Sequence, residues 1–272
     1  MRLDVVVPNT GPYAAEAIAE APCFEAMGYE GLWLTDHVIG VPEYTMYGGY
    51  WLEILTTLAH VAARTTGIRL GTGVLILPYR DAVLTAKMLA TIDVLSKGRL
   101  DIGIGTGWAE REFDALDRRA QFAPRGAVTD ETLDVFATCW KGGEISHEGR
   151  WSRSSKIRFE PCPVQKPGPP IWVGARALKR LPMERAAKYA DVWHPTGLSP
   201  QELQTGGERL DQMAGRKVPR SIRFRVSDAA EGVDAIRRYR DAGCFAVALD
   251  FSPAETFAQF RKVAEAVINT AL

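Results

Sequence analysis

The chain has 272 residues, 46% apolar and 24% charged, with 33 Lys and Arg balanced by 33 Asp and Glu. This near-average composition excludes a disordered, collagen-like or coiled-coil chain, and the zero net charge offers no basic surface for nucleic acid or anionic lipid. Runs such as Val5–Val7 and Val74–Leu77 are far shorter than the ~20 apolar residues that span a bilayer, Asp4 and Pro8 interrupt the N-terminus before any signal-like core, and four cysteines without a Cys-x-x-Cys fit reduced thiols in a cytoplasmic protein.

The first predicted strand is Leu3–Val7, stopped by Pro8, Asn9 and Gly11, and the helix after it runs over Tyr13–Met27 to Gly28. Strand two is Gly31–Thr35. A loop rich in Gly, Pro and Tyr leads from Val38 to Tyr50. In the helix Trp51–Thr66, Leu52, Leu55, Ala59, Ala62 and Ala63 recur at helical spacing, and Gly67 ends it. Strand three, Ile68–Leu77, is followed by helix Arg80–Leu95. Strand four is Arg99–Ile104, with helices over Trp108–Ala115 and Arg125–Trp140. Lys141–Pro170 holds five prolines and reads as an insertion between strands four and five. The pattern then resumes with strand Ile171–Gly174 and helix Leu178–Tyr189, and strand Asp191–His194 and helix Pro200–Met213. Strand Ser221–Val226 with helix Asp228–Ala242, and strand Cys244–Phe251 with helix Ala254–Ala271, complete it.

These are eight strand–helix units in one chain. Short, apolar, helix-linked strands are parallel and buried. The expected fold is therefore α/β, a closed parallel (β/α)8 TIM barrel forming one domain over residues 1–272. An open doubly wound sheet would carry Gly-x-Gly-x-x-Gly after strand one, where this chain has Pro8-Asn9-Thr10-Gly11-Pro12.

A barrel places its site at the C-terminal ends of its strands. That rule selects Asn9, then Asp36 and His37, then Thr72, Gly73 and Val74 with Gly71. It also selects Gly105, Thr106, Gly107 and Trp108, then Gly174, Ala175 and Arg176, then His194, Thr196 and Gly197. Trp51, Trp108, Trp193, Tyr44, Tyr47 and Tyr50 sit near the same rim, and an aromatic-lined pocket suits a flat ligand. His37 is either a proton donor and acceptor or a hydrogen-bonded structural group beside a capping Asp36. The two Gly-Thr-Gly runs make a bare backbone wall for a close ligand. Gly174–Arg176 opens a helix and is either a phosphate site or a surface arginine. His60 reads as packing and His147 as solvated, and no residue spacing suits a metal.

Several segments together resemble the bacterial-luciferase-like monooxygenase superfamily, and within it the actinobacterial oxidoreductases that depend on coenzyme F420. They are Gly31-Leu32-Trp33-Leu34-Thr35-Asp36-His37, Arg69 through Arg80, Ala90 through Arg99, Gly103 through Trp108 with Glu112-Phe113, and Phe159 through Gly174. The resemblance implies a TIM barrel with a tricyclic ring across its mouth and a cis peptide at Gly73–Val74. It implies a coenzyme flanked by Gly105–Trp108, its phosphate tail on Gly174, Ala175, Arg176, Thr196 and Gly197, and His37 as proton partner, oriented by Asp36. Trp108 stands where some relatives carry a glutamate, Asn9 where they carry an acid, and Ala175 where a second glycine is usual. Glu112 and Arg125 read as a structural pair around the strand-four loop. The expected function is hydride transfer between the deazaflavin C5 and a small organic substrate. The alternatives are an FMN-dependent monooxygenase and a non-catalytic coenzyme-binding barrel. A homodimer through the helix Trp51–Thr66 is the expected assembly.

Overall fold

The computed structural model describes residues 1–40, 49–174, 178–251 and 254–271. Strand β1 (Arg2–Val6) leads through helices α1 (Ala14–Ala19) and α2 (Pro22–Met27) to β2 (Gly31–Leu34). Helix α3 (Ile54–Arg64) returns the chain to β3 (Arg69–Thr72), continued after a break by β4 (Leu75–Ile76). A 3-10 turn, Leu77–Tyr79, enters α4 (Ala82–Leu95) and then β5 (Leu100–Gly105). Helices α5 (Glu110–Ala115), α6 (Arg119–Phe122) and α7 (Arg125–Cys139) precede strands β6 (Gly143–Glu148) and β7 (Arg153–Phe159). The last units are β8 (Ile171–Val173), α8 (Arg180–Tyr189), β9 (Val192–Trp193), α9 (Pro200–Ala214), β10 (Ser221–Arg225), α10 (Ala229–Asp241), β11 (Ala246–Asp250) and α11 (Phe257–Ala271).

The strands run parallel in the order β10–β11–β1–β2–β3–β5–β8–β9, with β4 pairing β5 beyond the break. Two isolated parallel bridges, Trp193 with Arg220 and Thr196 with Arg223, bring β9 against β10 and close the ring. This is the (β/α)8 barrel that the spacing of apolar runs predicts, with β6 and β7 as an antiparallel hairpin inserted between β5 and β8. No helix among the described residues is long and apolar enough to cross a membrane.

Three predicted elements differ. The helix over Tyr13–Met27 is two helices, because Pro22 has no N–H to continue α1 and instead opens α2. Strand three is two pieces, interrupted where the Gly73–Val74 peptide is cis, as the resemblance implied. The insertion contains a hairpin that the sequence hid. β7 reads Arg-Ser-Ser-Lys-Ile-Arg-Phe and is mostly exposed, so it lacks apolar alternation.

Alternation along each strand sends one set of side chains outward to the helices and the other into the barrel. Leu32, Leu34, Leu70, Ile102 and Ile104 join the large outer core, while Val6, Trp33, Trp172, Ala246 and Ala248 form an inner cluster. At the N-terminal end of the barrel, Arg2 pairs with Asp4 at 2.7 Å and with Asp101 at 2.9 Å, and Arg69 Nε donates to Asp101 at 2.9 Å. Above this ionic layer the Trp33 indole N–H donates to Asp4 at 2.8 Å, and its ring stacks on His194 at 5.0 Å. Trp33 fits because Gly71 presents no Cβ, which would overlap the indole, and because Gly103 faces it from β5.

Candidate active site at the barrel mouth

The C-terminal ends of β2, β4 and β5 build the core of the site. After β2 the chain turns, separating Asp36 from His37. The Asp36 carboxylate is buried and takes a bidentate pair from Arg80 at 2.6 and 2.9 Å, plus the Ile76 N–H at 2.7 Å. It does not orient His37, contrary to expectation. Glu112, on the first turn of α5, does so: its Oε2 lies 2.8 Å from His37 Nδ1. The same oxygen accepts the Tyr79 hydroxyl at 2.9 Å, and Oε1 accepts the Val38 N–H at 2.9 Å. Burial opposes ionisation of Glu112, but these donors outweigh it and hold the carboxyl below its ordinary range. Glu112 is therefore no partner of Arg125, whose guanidinium donates to the Gly107 and Phe122 carbonyls at 3.1 and 2.8 Å.

The His37 ring lies 4.6 Å from Trp51 and meets Trp108 edge-on at 6.2 Å. Trp108 and Tyr50 are both about half exposed, at 52% and 51%. Val38 and Val74 pack on one cluster of Ile76, Tyr79 and Phe113, so the ends of β2 and β4 share this wall.

The glycines act differently from a bare backbone wall. A Cβ at Gly105 would meet Val74 Cγ2 at 2.5 Å, and one at Gly174 would meet Val74 Cγ1 at 2.7 Å. The two glycines thus form a notch that seats the Val74 side chain and leaves it half-buried. Gly73 offers its carbonyl to Arg223 Nη1 at 2.9 Å. β10 and β3 are four steps apart around the ring, so Arg223 crosses the barrel to make this bond. Asp250 on β11 holds its other nitrogen at 2.6 Å.

Other predicted site residues serve the scaffold. Asn9 uses its whole amide: it donates to the Thr35 and Leu52 carbonyls at 2.8 and 2.9 Å and accepts from Thr35 N and Oγ1 at 3.0 Å each. It ties β1, β2 and the start of α3 together. Thr72 is buried and donates to the Gly103 carbonyl at 2.7 Å. His194 lies inside the barrel, 2.7 Å from the Ser221 hydroxyl and against Trp33 and Trp172. Burial first, then Arg223 and Arg2, push its pKa down to about 3. Trp193 points outward, its ring packed beneath Gly206 of α9. Thr106, Gly107, Gly174, Thr196 and Gly197 remain accessible at the mouth. Gly107 and Gly197 sit at φ 76 and 69, where glycine is favoured. Ala175, Arg176, Tyr44 and Tyr47 lie outside the described residues.

Sequence reasoning passed over Arg223 and Tyr79. Arg223 carried a signal: an arginine at an inward position of a buried strand needs a partner across the barrel. Tyr79 carried none, since its role depends on the turn after β4.

A family profile described as luciferase-like monooxygenase matches residues 1–266. The oxygenase component of a flavin-dependent trigonelline monooxygenase from Acinetobacter baylyi is 32% identical over 149 residues, 55% of this chain and 39% of that protein. An F420-dependent hydroxymycolic acid dehydrogenase from Mycobacterium tuberculosis is 29% identical over 178 residues, 65% of this chain and 47% of that protein. The chain thus spans less than half the length of these two curated relatives. The fold matches a solved F420-dependent secondary alcohol dehydrogenase, in complex with an F420–acetone adduct, at a TM-score of 0.82 and 17% identity over 98% of both chains. The profile match over residues 1–266, on a chain that folds as the closed barrel, shows that the chain belongs to the luciferase-like monooxygenase family.

Proposed function

We propose that this chain is an oxidoreductase that uses coenzyme F420 to move a hydride to or from a small organic substrate at the barrel mouth. One observation carries the reading: Val74, seated in its glycine notch, packs on the cluster of Tyr79, and Tyr79 shares the Glu112 carboxylate with the His37 imidazole. The residues fit a flat cofactor. Val74 is half-buried in its glycine notch, and Trp51 and Trp108 extend the apolar surface around His37. When bound, F420 supplies C5 as the carbon that accepts or gives the hydride.

The chain's own groups do the rest. Val74 supports one face of the ring. Trp108 covers the approach to His37 and keeps water from it. His37 exchanges a proton with the substrate at Nε2, while its Nδ1 is held by Glu112. Thr106 and Gly107 border the ring, Gly105 acts on it only by seating Val74, and Gly174, Thr196 and Gly197 receive the phosphate-bearing tail. A homodimer working in the cytoplasm completes the reading.

Calorimetric titration with each coenzyme tests it. Micromolar affinity for F420 without FMN binding is expected; binding of FMN alone overturns it. A second reading, an FMN-dependent monooxygenase, draws on the likeness to the trigonelline enzyme, and the same titration decides it. If a substrate is found and His37→Ala turns over at the wild-type rate, His37 has no proton role.

A further inference from the structure

We infer that Glu112, backed by Tyr79, is the positioning residue that fixes the tautomer of His37, with the proton on Nδ1 and the lone pair on Nε2. The inference deepens the proposed function and rests on His37 being the proton partner there.

Donors and acceptors around Glu112 decide the tautomer. An ionised carboxylate only accepts hydrogen bonds. Oε2 of Glu112 lies 2.8 Å from His37 Nδ1 and takes the Tyr79 hydroxyl at 2.9 Å, and Oε1 takes the Val38 N–H at 2.9 Å. The side chain of Glu112 is wholly buried, and three donors converge on it. Nδ1 must therefore donate, and in the neutral ring Nε2 carries the lone pair. The Leu77–Tyr79 turn supports this: Tyr79 holds Glu112, while the next residue, Arg80, holds Asp36. Asp36 is bound by its own guanidinium and does not compete for the imidazole.

The test uses the full chain labelled with 15N-histidine. Two-bond 15N–1H spectra at neutral pH, recorded without coenzyme or substrate, are expected to show His37 protonated at Nδ1. Glu112→Gln replaces the anion with an amide that can donate to Nδ1, so the Nδ1–H population falls. Its kcat falls by about tenfold or more, with coenzyme affinity within about twofold of wild type. Tyr79→Phe, a milder variant that keeps the core packed, gives a smaller fall in the same direction, and Glu112→Asp recovers part of the loss. An Nε2–H tautomer in the wild type, or Glu112→Gln with tautomer and kcat unchanged, overturns the inference. A wild-type rate in His37→Ala instead overturns the proton role of His37, whatever the tautomer spectra show.

Discussion

Val74 depends on two absent side chains. Because Gly105 and Gly174 make its seat, a methyl group added there displaces Val74, the side chain that the proposed function sets against the coenzyme ring. Gly105→Ala would press on Val74 Cγ2 at 2.5 Å and on Ile76 Cδ1 at 3.2 Å, pushing the valine tip into the mouth. Coenzyme affinity is expected to fall about tenfold, and the double variant Gly105→Ala, Val74→Ala should regain part of it. Isothermal titration of the three proteins reads this directly, and an unchanged affinity for Gly105→Ala would remove Val74 from the ligand surface. Gly71 differs in kind: its missing Cβ makes room for Trp33 inside the barrel, so Gly71→Ala is an overpacking change that costs about 1–3 kcal/mol of stability.

At the scale of elements, the turn between β4 and α4 organises the site more than any strand does. Arg80 follows it and carries the bidentate pair to Asp36, with a further contact to Glu53, the N-cap of α3, at 3.2 Å. Removing the guanidinium strands a carboxylate whose side chain is 1% exposed. Arg80→Met is expected to cost about 3–5 kcal/mol in urea unfolding, and Arg80→Lys to recover less than half because an ammonium cannot make the two-pronged contact. A loss below about 1 kcal/mol would show that Asp36 finds another partner. The contrast with sequence reading is clearest here. Strand ends, helix stops such as Gly28 and the eightfold alternation were legible, because apolar periodicity and glycine punctuation are local signals. The partner of His37 was not. Asp36 is its neighbour in the chain but turns to Arg80, whereas Glu112, 75 residues away, arrives only once α5 is docked. Asn9 misled for the same reason: its position at a strand end was visible, but the four bonds that saturate its amide were not.

Across the whole molecule, the neutral imidazole of His194 ties stability to pH. Its folded pKa, about 3, lies below the ordinary 6.5, so the unfolded chain binds the extra proton between those values. Stability is then complete above about pH 6.5 and declines as pH falls towards 3, by up to about 1.4 kcal/mol per pH unit. Denaturant unfolding should show about 2 kcal/mol less stability from this group at pH 5 than at pH 7, and His194→Gln should flatten that slope. An equal slope in the variant would exclude His194 as its source. Association is a second property at this scale. The outer face of α3 is polar, with Thr56, His60 and Arg64 exposed. The neighbouring α4 instead shows Leu84 and Leu95 at 59% and 63% exposure, in line with Met88 and Thr91 at helical spacing. The homodimer of the proposed function is expected to bury this stripe. Leu84→Glu should lower the mass seen by light scattering from dimer to monomer, and a dimer unaffected by it would place the contact elsewhere.

The barrel is not equally strong around its circumference. β9 holds β8 through two residue pairs and β10 through two single bridges, whereas β10 and β11 share five pairs. Such a ring is a cask with one loose stave, and its first opening is expected beside Trp193 and Thr196. The amide hydrogens of Trp193 and Arg223, which cross that gap to Pro219 and Pro195, should exchange with deuterium well before those within the β10–β11 ladder. Because Arg223 also spans the lumen to Gly73, closing that gap is expected to fix the backbone next to Val74 as well.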